Sequence, residues 1–422
     1  MEKMKNSNIE WIGNIPQNWK EKRIKDIIII LPKSDIQAGD GEDEGKYWFY
    51  TSSQELSKRI DKCLYDGDAI IMGTGGSASV NYSSELFSTS TDCFNFKTNQ
   101  YTKFVFCWLY SIKDEVINEI WFEGMGLRHL QKNDILSSHI YLPKTEEQKM
   151  IADFLENKIK KIDDILNDIN NEIELLEKYR KSLITETVTK GLSKNVKMKD
   201  SGIDWIGNIP EHWSINRISN ICKLKGRIGW QGLTTDEYID EGPYLITGVD
   251  FSNGSIDWDN CEHVSEWRYN QAKDIQIKEN DLLITKDGTV GKIAIVQNCP
   301  EKVTLNSGVL LIRCLNNTYI NKFLYYILYS NEFWHWFEIT NLGATTITHL
   351  YQNVFAKFLV AMPDKKEQQE IVRYLDKKCE EINTLIKDKQ EQIEKIEQYK
   401  KSLIYEYVTG KKRVKGAEEL YG

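Results

Sequence analysis

Hydrophobic residues recur with a period of 3.5 residues in two long stretches of the chain. With Ile159 placed at heptad position a, Arg180 is the only polar residue at the a and d positions of the first stretch. Its apolar a and d residues are Ile159, Ile162, Leu166, Ile169, Ile173, Leu176 and Leu183, and those of the second stretch are Ile382, Ile386, Ile393, Ile396 and Leu403. Such a seam is typical of left-handed coiled coils.

Each of these stretches is predicted to be one long helix. Neither Pro nor Gly occurs between residues 146 and 187, so the first helix would extend for roughly 60 Å before Gly191 ends it. Lys389 and Lys400 interrupt the second seam, which also includes Cys379. Two such helices in one chain most simply pack on each other. The alternative is two separate helices on a globular body, which would not need so long a seam.

The regions at about 20–143 and 214–363 have a different pattern. Short β-rich runs alternate there with turns of Gly, Asn, Asp and Ser, and they predict strands beginning near Asp68, Leu282, Val309 and Phe358. Helical segments are predicted at 101–112 and 319–337. Each region is therefore predicted to be a mixed α+β domain.

The chain contains an internal duplication. Residues 4–16 and 198–210 are identical at ten of thirteen positions, at a constant offset of 194. A second match, YRKSLITETVT at 179–189 and YKKSLIYEYVT at 399–409, has an offset of 220. The second copy therefore carries 220 − 194 = 26 extra residues between its matched segments. The layout is two related α+β domains, each followed by a long helix, with a pseudo-twofold internal repeat.

Composition excludes several classes of protein. The longest apolar run, at 104–110, is far too short to span a bilayer, and the first seven residues lack the apolar core of a signal peptide. The eight cysteines include no C-x-x-C pair and are typical of reduced thiols in a cytoplasmic protein. With 55 Lys and Arg against 63 Asp and Glu, the net charge is −8, which argues mildly against nucleic-acid binding.

Motifs for catalysis are nearly absent. The segments 286–292 (KDGTVGK) and 73–77 (GTGGS) do not fit the phosphate-loop pattern, and turns between strands explain their glycines better. No G-x-G-x-x-G sequence follows a predicted strand, and the six histidines form no H-x-x-x-H pair. His129 and His349 lie at equivalent repeat positions, where a polar loop residue is the simpler interpretation. We therefore expect no cofactor, no metal and no catalytic residue, although a lone catalytic dyad stays open.

The remaining pattern suits a protein that binds a polyanion. Loops of both domains carry Arg, Lys, Gln, Asn and Thr, which hydrogen-bond base edges or phosphates. The candidate DNA-binding residues are Lys58, Arg59, Arg128, His129 and Lys132 in the first domain, and Arg227, Trp230, Gln231, Lys286, Lys292, Thr345, Thr346, His349 and Asn353 in the second. Exposed loops of many proteins look similar, so this pattern alone favours DNA only weakly.

Three paired motifs resemble the specificity subunits of type I restriction-modification systems, and together they extend over almost the whole chain. The first is W-I-G-x-I-P-x-x-W, at 11–19 and 205–213. The second is P-x-x-x-E-Q, at 143–148 and 363–368, which opens each long helix. The third is K-S-L-I-x-E-x-V-T, at 181–189 and 401–409.

This resemblance implies an α+β chain with two target-recognition domains, held apart by two long helices that form an antiparallel intramolecular coiled coil. Each domain would read one half of a bipartite, asymmetric double-stranded DNA target. Two methylation subunits would dock on the helices and adjoining regions, and restriction or translocase subunits would join through the complex. The chain itself would be a non-catalytic cytoplasmic subunit without cofactor.

The corresponding boundaries are 1–143 for the first target-recognition domain, 144–191 for the first helix, 192–202 for a linker, 203–363 for the second domain, 364–411 for the second helix and 412–422 for a tail. A stand-alone DNA-modifying enzyme and a coiled-coil scaffold that does not bind DNA remain the alternatives. The target bases and the spacer length cannot be deduced from one sequence.

Overall fold

The computed structural model describes residues 3–193, 195–227, 233–316, 319–341 and 349–421. The chain divides into two compact units. The first unit contains Met1–Asn170 and Gln390–Gly422, and the second contains Asn171–Lys389. Each unit therefore combines one α+β domain with about half of each long helix.

The two long helices extend over Thr145–Lys190 and Lys365–Val408, as the heptad pattern predicts. Both are followed by a glycine with a φ of +71°, Gly191 and Gly410, a backbone conformation that ends helices and that glycine adopts without strain. The prediction of two uninterrupted helices is therefore confirmed.

Within each unit the two helices run antiparallel. In the first unit the Phe154 and Tyr407 rings are 4.6 Å apart, and Lys400 Nζ donates to Asp163 Oδ1 at 2.6 Å. In the second unit Arg180 Nη1 donates to Asn383 Oδ1 at 2.5 Å. Since 163 + 220 = 383 and 180 + 220 = 400, these two polar contacts are repeat equivalents of each other. The residues that interrupt the apolar seam thus pair across it.

The seam residues of both helices are buried or half-buried, while the positions between them are mostly exposed. Ile162, Ile169, Ile382, Ile386 and Leu403 are buried. Lys389, the other polar seam residue, forms an ion pair with Glu172 on the facing helix. The predicted coiled coil is therefore present within each unit.

The domain of the first unit contains a four-stranded antiparallel sheet and a three-stranded sheet. The four strands lie in the order Ile28–Ile30, Cys93–Thr98, Ala69–Gly73 and Val80–Ser83. The three lie in the order Lys58–Ile60, Tyr47–Tyr50 and Phe87–Thr89, the last two parallel. Its other strands are Met4–Asn6, Asn14–Pro16, Lys20–Arg23, Phe122–Glu123, His129–Leu130 and His139–Leu142, and its short α-helices are Thr102–Ser111 and Lys132–Ser137.

The domain of the second unit repeats this topology. Its four-stranded sheet has the order Cys222–Gly226, Val309–Cys314, Leu282–Thr285 and Ile293–Ile295. Its three-stranded sheet has the order Glu262–His263, Ile239–Ile246 and Val303–Leu305, the last two parallel. Its other strands are Met198–Asp200, Asn208–Pro210, Ser214–Arg217, Phe251–Ser252, Ser255–Ile256 and Leu359–Met362, and its short α-helices are Ile218–Ile221, Glu266–Gln271, Asn321–Tyr329, Asn331–Thr340 and Gln352–Phe355.

The helical segment expected at 319–337 is two helices rather than one. They meet at Ser330, whose backbone is extended with a ψ of 163°. The buried Ser330 hydroxyl donates to Ile327 O at 2.7 Å. It therefore hydrogen-bonds a backbone carbonyl near the end of the helix Asn321–Tyr329. Serine competes in this way with helical backbone hydrogen bonds, which explains the break.

The glutamine of each P-x-x-x-E-Q motif attaches a long helix to its domain. Gln148 is fully buried; its Oε1 accepts from the backbone N–H of Tyr101 at 3.1 Å, and its Nε2 donates to Pro143 O at 3.0 Å. Gln368 makes the equivalent bonds to Ile320 N and Pro363 O, both at 3.0 Å. The motif therefore has a structural role that its sequence alone did not reveal.

Replacing either glutamine with leucine is expected to destabilise its unit. Gln148→Leu leaves the partly buried N–H of Tyr101 and the buried carbonyl of Pro143 without these partners, which costs about 1–3 kcal/mol. Urea denaturation of Gln148→Leu and Gln368→Leu measures the free energy of unfolding, with the exposed Gln17→Leu as the matched control. Equal stability of Gln148→Leu and Gln17→Leu would contradict the assigned role.

Candidate nucleic-acid interface

Two loops of the first domain lie against each other. One is the turn after the strand Ala69–Gly73, and the other follows the hairpin strand Phe122–Glu123. Leu130 N donates to Thr74 O at 3.0 Å, and Gly76 N donates to Arg128 O at 2.9 Å. These backbone bonds bring the turn 73–77 next to the segment 123–133, which contains the candidate residues Arg128, His129 and Lys132.

The second domain brings its equivalent segments together. Leu350 N donates to Lys286 O at 3.0 Å, and His349 Nδ1 lies 2.7 Å from Asp287 Oδ1. The turn 286–292 therefore lies beside the segment that begins at His349. Both domains thus place the loop after a central strand next to an H-L-x-x-N segment, although the other residues of the two loop pairs differ.

In the first domain the loop pair gathers three of the five candidate residues. The Arg128 guanidinium donates to Phe122 O at 2.9 Å and also to Asn118 O, so it supports the base of the hairpin. Lys132 Nζ lies 5.2 Å from the centre of the Phe94 ring. His129 is exposed. Of the three candidates in this loop pair, His129 and Lys132 therefore have side chains that make fewer hydrogen bonds within the protein than that of Arg128.

Lys58 and Arg59 lie on the three-stranded sheet rather than on the loop pair. Lys58 Nζ donates to Ala38 O at 3.0 Å, and Arg59 Nε donates to Gly45 O at 2.7 Å. The Arg59 guanidinium also lies 4.2 Å from the centre of the Trp48 ring. The structure therefore does not join these two residues to His129 and Lys132.

Among the candidates that the structure describes, Arg227 is the most buried, with 4% of its surface exposed. Its Nε donates to Leu305 O at 2.7 Å, and its Nη2 donates to Thr304 Oγ1 at 3.1 Å. Burial, with a smaller contribution from nearby Arg268, lowers the pKa of the Arg227 guanidinium to about 10. These contacts stabilise the edge of the three-stranded sheet, a role that no local sequence pattern indicates.

The other candidates of the second domain fall into three groups. Lys292 Nζ donates to Gly248 O at 3.0 Å, and Lys286 Nζ lies 3.7 Å from Asp287 Oδ2. Asn353 is exposed on the helix Gln352–Phe355. The remaining candidates, Trp230, Gln231, Thr345 and Thr346, lie outside the described residues. The assignment of individual residues to DNA contact stays a prediction.

The long helices expose large apolar side chains that the sequence analysis did not select. Ile165 and Leu385 are each 49% exposed, and Tyr179 and Tyr399 are each 57% exposed. The four form two repeat-equivalent pairs at an offset of 220. That offset was visible in the sequence and could have identified them.

Two features are absent from the described part of the chain. Within it, no three His, Cys, Asp or Glu side chains converge to hold a metal ion. Of the helices described, none is long and apolar enough to cross a bilayer.

Comparisons with known proteins agree with one family. The model of the type I restriction modification DNA specificity domain matches residues 16–175 and 210–395. The MjaVIII type I restriction enzyme specificity subunit of Methanocaldococcus jannaschii is 24% identical over 417 residues, which cover 95% of this chain and 94% of that protein. The EcoDI specificity subunit of Escherichia coli is 20% identical over 372 residues, covering 86% and 82%.

A solved chain supports the same fold. It comes from work on complex assembly and conformational transition of the type I restriction-modification system, and it superposes with a TM-score of 0.64 at 15% identity. The match covers 94% of this chain and 99% of that chain. Since the family model matches most of the chain, in two copies, the protein belongs to the type I restriction-modification DNA specificity family, as a specificity subunit with two target-recognition domains.

Proposed function

We propose that each domain of this chain reads one half of a bipartite, asymmetric DNA target. The observation that carries the proposal is that two domains of the same topology present loop pairs with different residues. The first pair contains EGMGLRHLQKN at 123–133, and the matching sequence of the second domain is GATTITHLYQN at 343–353, of which the structure describes 349–353. Because base edges are distinguished by the side chains that meet them, unlike loops favour unlike half-sites.

The net charge of −8 is compatible with this proposal. Many acidic residues lie on the long helices, among them Asp163, Asp164, Asp168, Glu172, Glu174 and Glu177, which need not face DNA. Lys132 can still make the edge of the first domain locally attractive to phosphates. Partner subunits would contribute further positive charge.

The long helices would dock two methylation subunits. Counting from Ile159 as position a, Ile165 and Tyr179 are at heptad position g, and Leu385 and Tyr399 are their equivalents at an offset of 220. In the first unit the Asp163–Lys400 contact places Ile165 level with Tyr399 along the helices. In the second unit the Arg180–Asn383 contact places Tyr179 level with Leu385 in the same way.

Each unit therefore exposes one aliphatic and one tyrosine side chain at equivalent places. Exposed apolar side chains beside a polar helix surface are typical of protein interfaces, and tyrosine often contributes strongly to binding. Two equivalent patches favour two copies of one partner.

Losing one patch should remove one partner. Ile165→Ser with Tyr399→Ser is expected to weaken docking at the first unit by about 30-fold or more, since an aromatic anchor contributes about 2 kcal/mol. Mass photometry of the complex with the methylation subunit should then show one copy in place of two. The exposed Asp164→Ser is the control, and two retained copies in the double variant would refute these patches.

Catalysis would belong to the partner subunits, and the chain would work without a cofactor in the cytoplasm. The purified chain is expected neither to bind S-adenosylmethionine nor to methylate or cut DNA. Isothermal titration calorimetry with S-adenosylmethionine tests this directly, with the assembled complex as the positive control. Stoichiometric binding by the lone chain would favour a stand-alone modifying enzyme, which the comparisons do not support.

A further inference from the structure

The hairpin of the first loop pair ends in an apolar tip. Its strands, Phe122–Glu123 and His129–Leu130, are antiparallel and enclose the residues 124–128. At the tip, Met125 is fully exposed, with 105% of its reference surface, and Leu127 is 65% exposed. No charged residue lies between positions 124 and 127.

The base of this hairpin is firmly held. Phe122 and Leu130 are buried in the core of the first unit. The Arg128 guanidinium bonds the carbonyls of Phe122 and Asn118, and Leu130 N bonds Thr74 O. Met125 and Leu127 therefore project from a supported base.

Glycines keep the tip narrow. Gly126 has a φ of +90°, and a Cβ there would meet no atom within 4 Å. Gly124 has a φ of +139°, and a Cβ there would lie 2.8 Å from Leu127 O. The backbone turn thus depends on glycine at position 124, and the tip carries only the Met125 and Leu127 side chains.

We infer that Met125 and Leu127 form an apolar wedge that contacts base pairs of the first half-site. An uncharged, apolar tip has no electrostatic attraction to phosphates. The apolar surfaces of DNA are instead the base faces and the thymine methyl groups. Lys132 and His129, which follow the tip closely in the sequence, would meet the DNA backbone while the wedge reaches past it. This inference rests on the proposed function and extends it to the contact that the first domain makes with bases.

Duplex DNA is favoured as the occupant over a second protein by the position of the tip. It belongs to the loop pair that joins 73–77 to 123–133, in a domain matched by the DNA specificity model. The second domain differs at the matching positions, because an offset of 220 places Thr345 and Ile347 where the first has Met125 and Leu127. The wedge should therefore affect the first half-site alone.

The test uses the complex with the methylation subunit and a duplex that carries the motif found by methylome sequencing of the wild-type host. Met125→Ser with Leu127→Ser should lower affinity about 10- to 100-fold, because two apolar side chains that DNA would cover are lost. The slope of log K against log salt concentration should stay unchanged, because no phosphate contact is lost. Lys132→Ala should instead reduce that slope, and Leu86→Ser, another exposed apolar residue of the unit, should change neither quantity.

Two modified duplexes then locate the contact. Deoxyuridine in place of thymine in the first half-site should weaken wild-type binding if the wedge meets methyl groups, and 2-aminopurine fluorescence should rise on binding if it separates base pairs. The inference is overturned if the double variant keeps full affinity, if its salt slope falls, or if neither modified duplex responds. A wild-type host without any bipartite motif would overturn the proposed function itself, which is a separate result.

Discussion

Replacing residues 214–363 with the corresponding region of another specificity subunit is expected to change one half of the methylated DNA motif and leave the other half intact. The two junctions lie on neighbouring strands, since Ser214 pairs with Met362 in an antiparallel ladder. The exchanged segment therefore enters and leaves its unit at one place. Each altered base pair costs about 1–3 kcal/mol, so several would abolish methylation of the original motif.

The reciprocal exchange is the matched control. Residues 20–143 are bounded in the same way, because Lys20 pairs with Leu142. Exchanging them should alter the other half of the motif. The readout for both chimaeras is methylome sequencing of the host. If either exchange changed both halves together, the assignment of one half-site to each domain would be wrong.

Lengthening both long helices is expected to lengthen the spacer between the half-sites. If the helices act as one ruler, half-site centres should lie about one helical turn apart, roughly 34 Å or 10 base pairs. Four residues inserted after Asn170 and four after Lys389 add about 6 Å along each helix. The antiparallel register inside each unit is kept, because both insertions fall at the boundary between the units. Six ångströms is close to two base pairs of rise, so the spacer should grow by one or two pairs while both half-sites stay unchanged.

Four residues inserted between Leu192 and Ser193 provide the control. That position follows the end of the first helix and precedes the strand Met198–Asp200, so it should leave the spacer unchanged. An unchanged spacer with full activity in the helix variant would show that the helices serve only as a docking surface.

Periodicity and repetition predicted the fold well because both follow directly from residue order. A seam of period 3.5 needs a long helix, and a constant offset needs a duplicated unit, whatever the surroundings. The seam residues Ile162 and Ile382 are buried as this pattern requires. The break at Ser330 was not predictable in the same way, since it depends on a single hydroxyl that bonds Ile327 O.

The roles of polar residues were harder to predict because they depend on partners distant in the sequence. Gln148 bonds Tyr101, 47 positions away, and Arg227 bonds Leu305, 78 positions away. Sequence alone treats Arg227 as an accessible loop cation, whereas the fold buries it against a strand. The pairing of 73–77 with 123–133 likewise follows from backbone hydrogen bonds that no local pattern indicates.

The most direct test of the central proposal is methylome sequencing of the host with and without the gene for this chain. A two-part, asymmetric methylated motif with a non-specific spacer should be present when the gene is intact and absent when it is deleted. A palindromic motif, or a bipartite motif that survives the deletion, would contradict a chain that supplies two unlike DNA readers to a methylating complex.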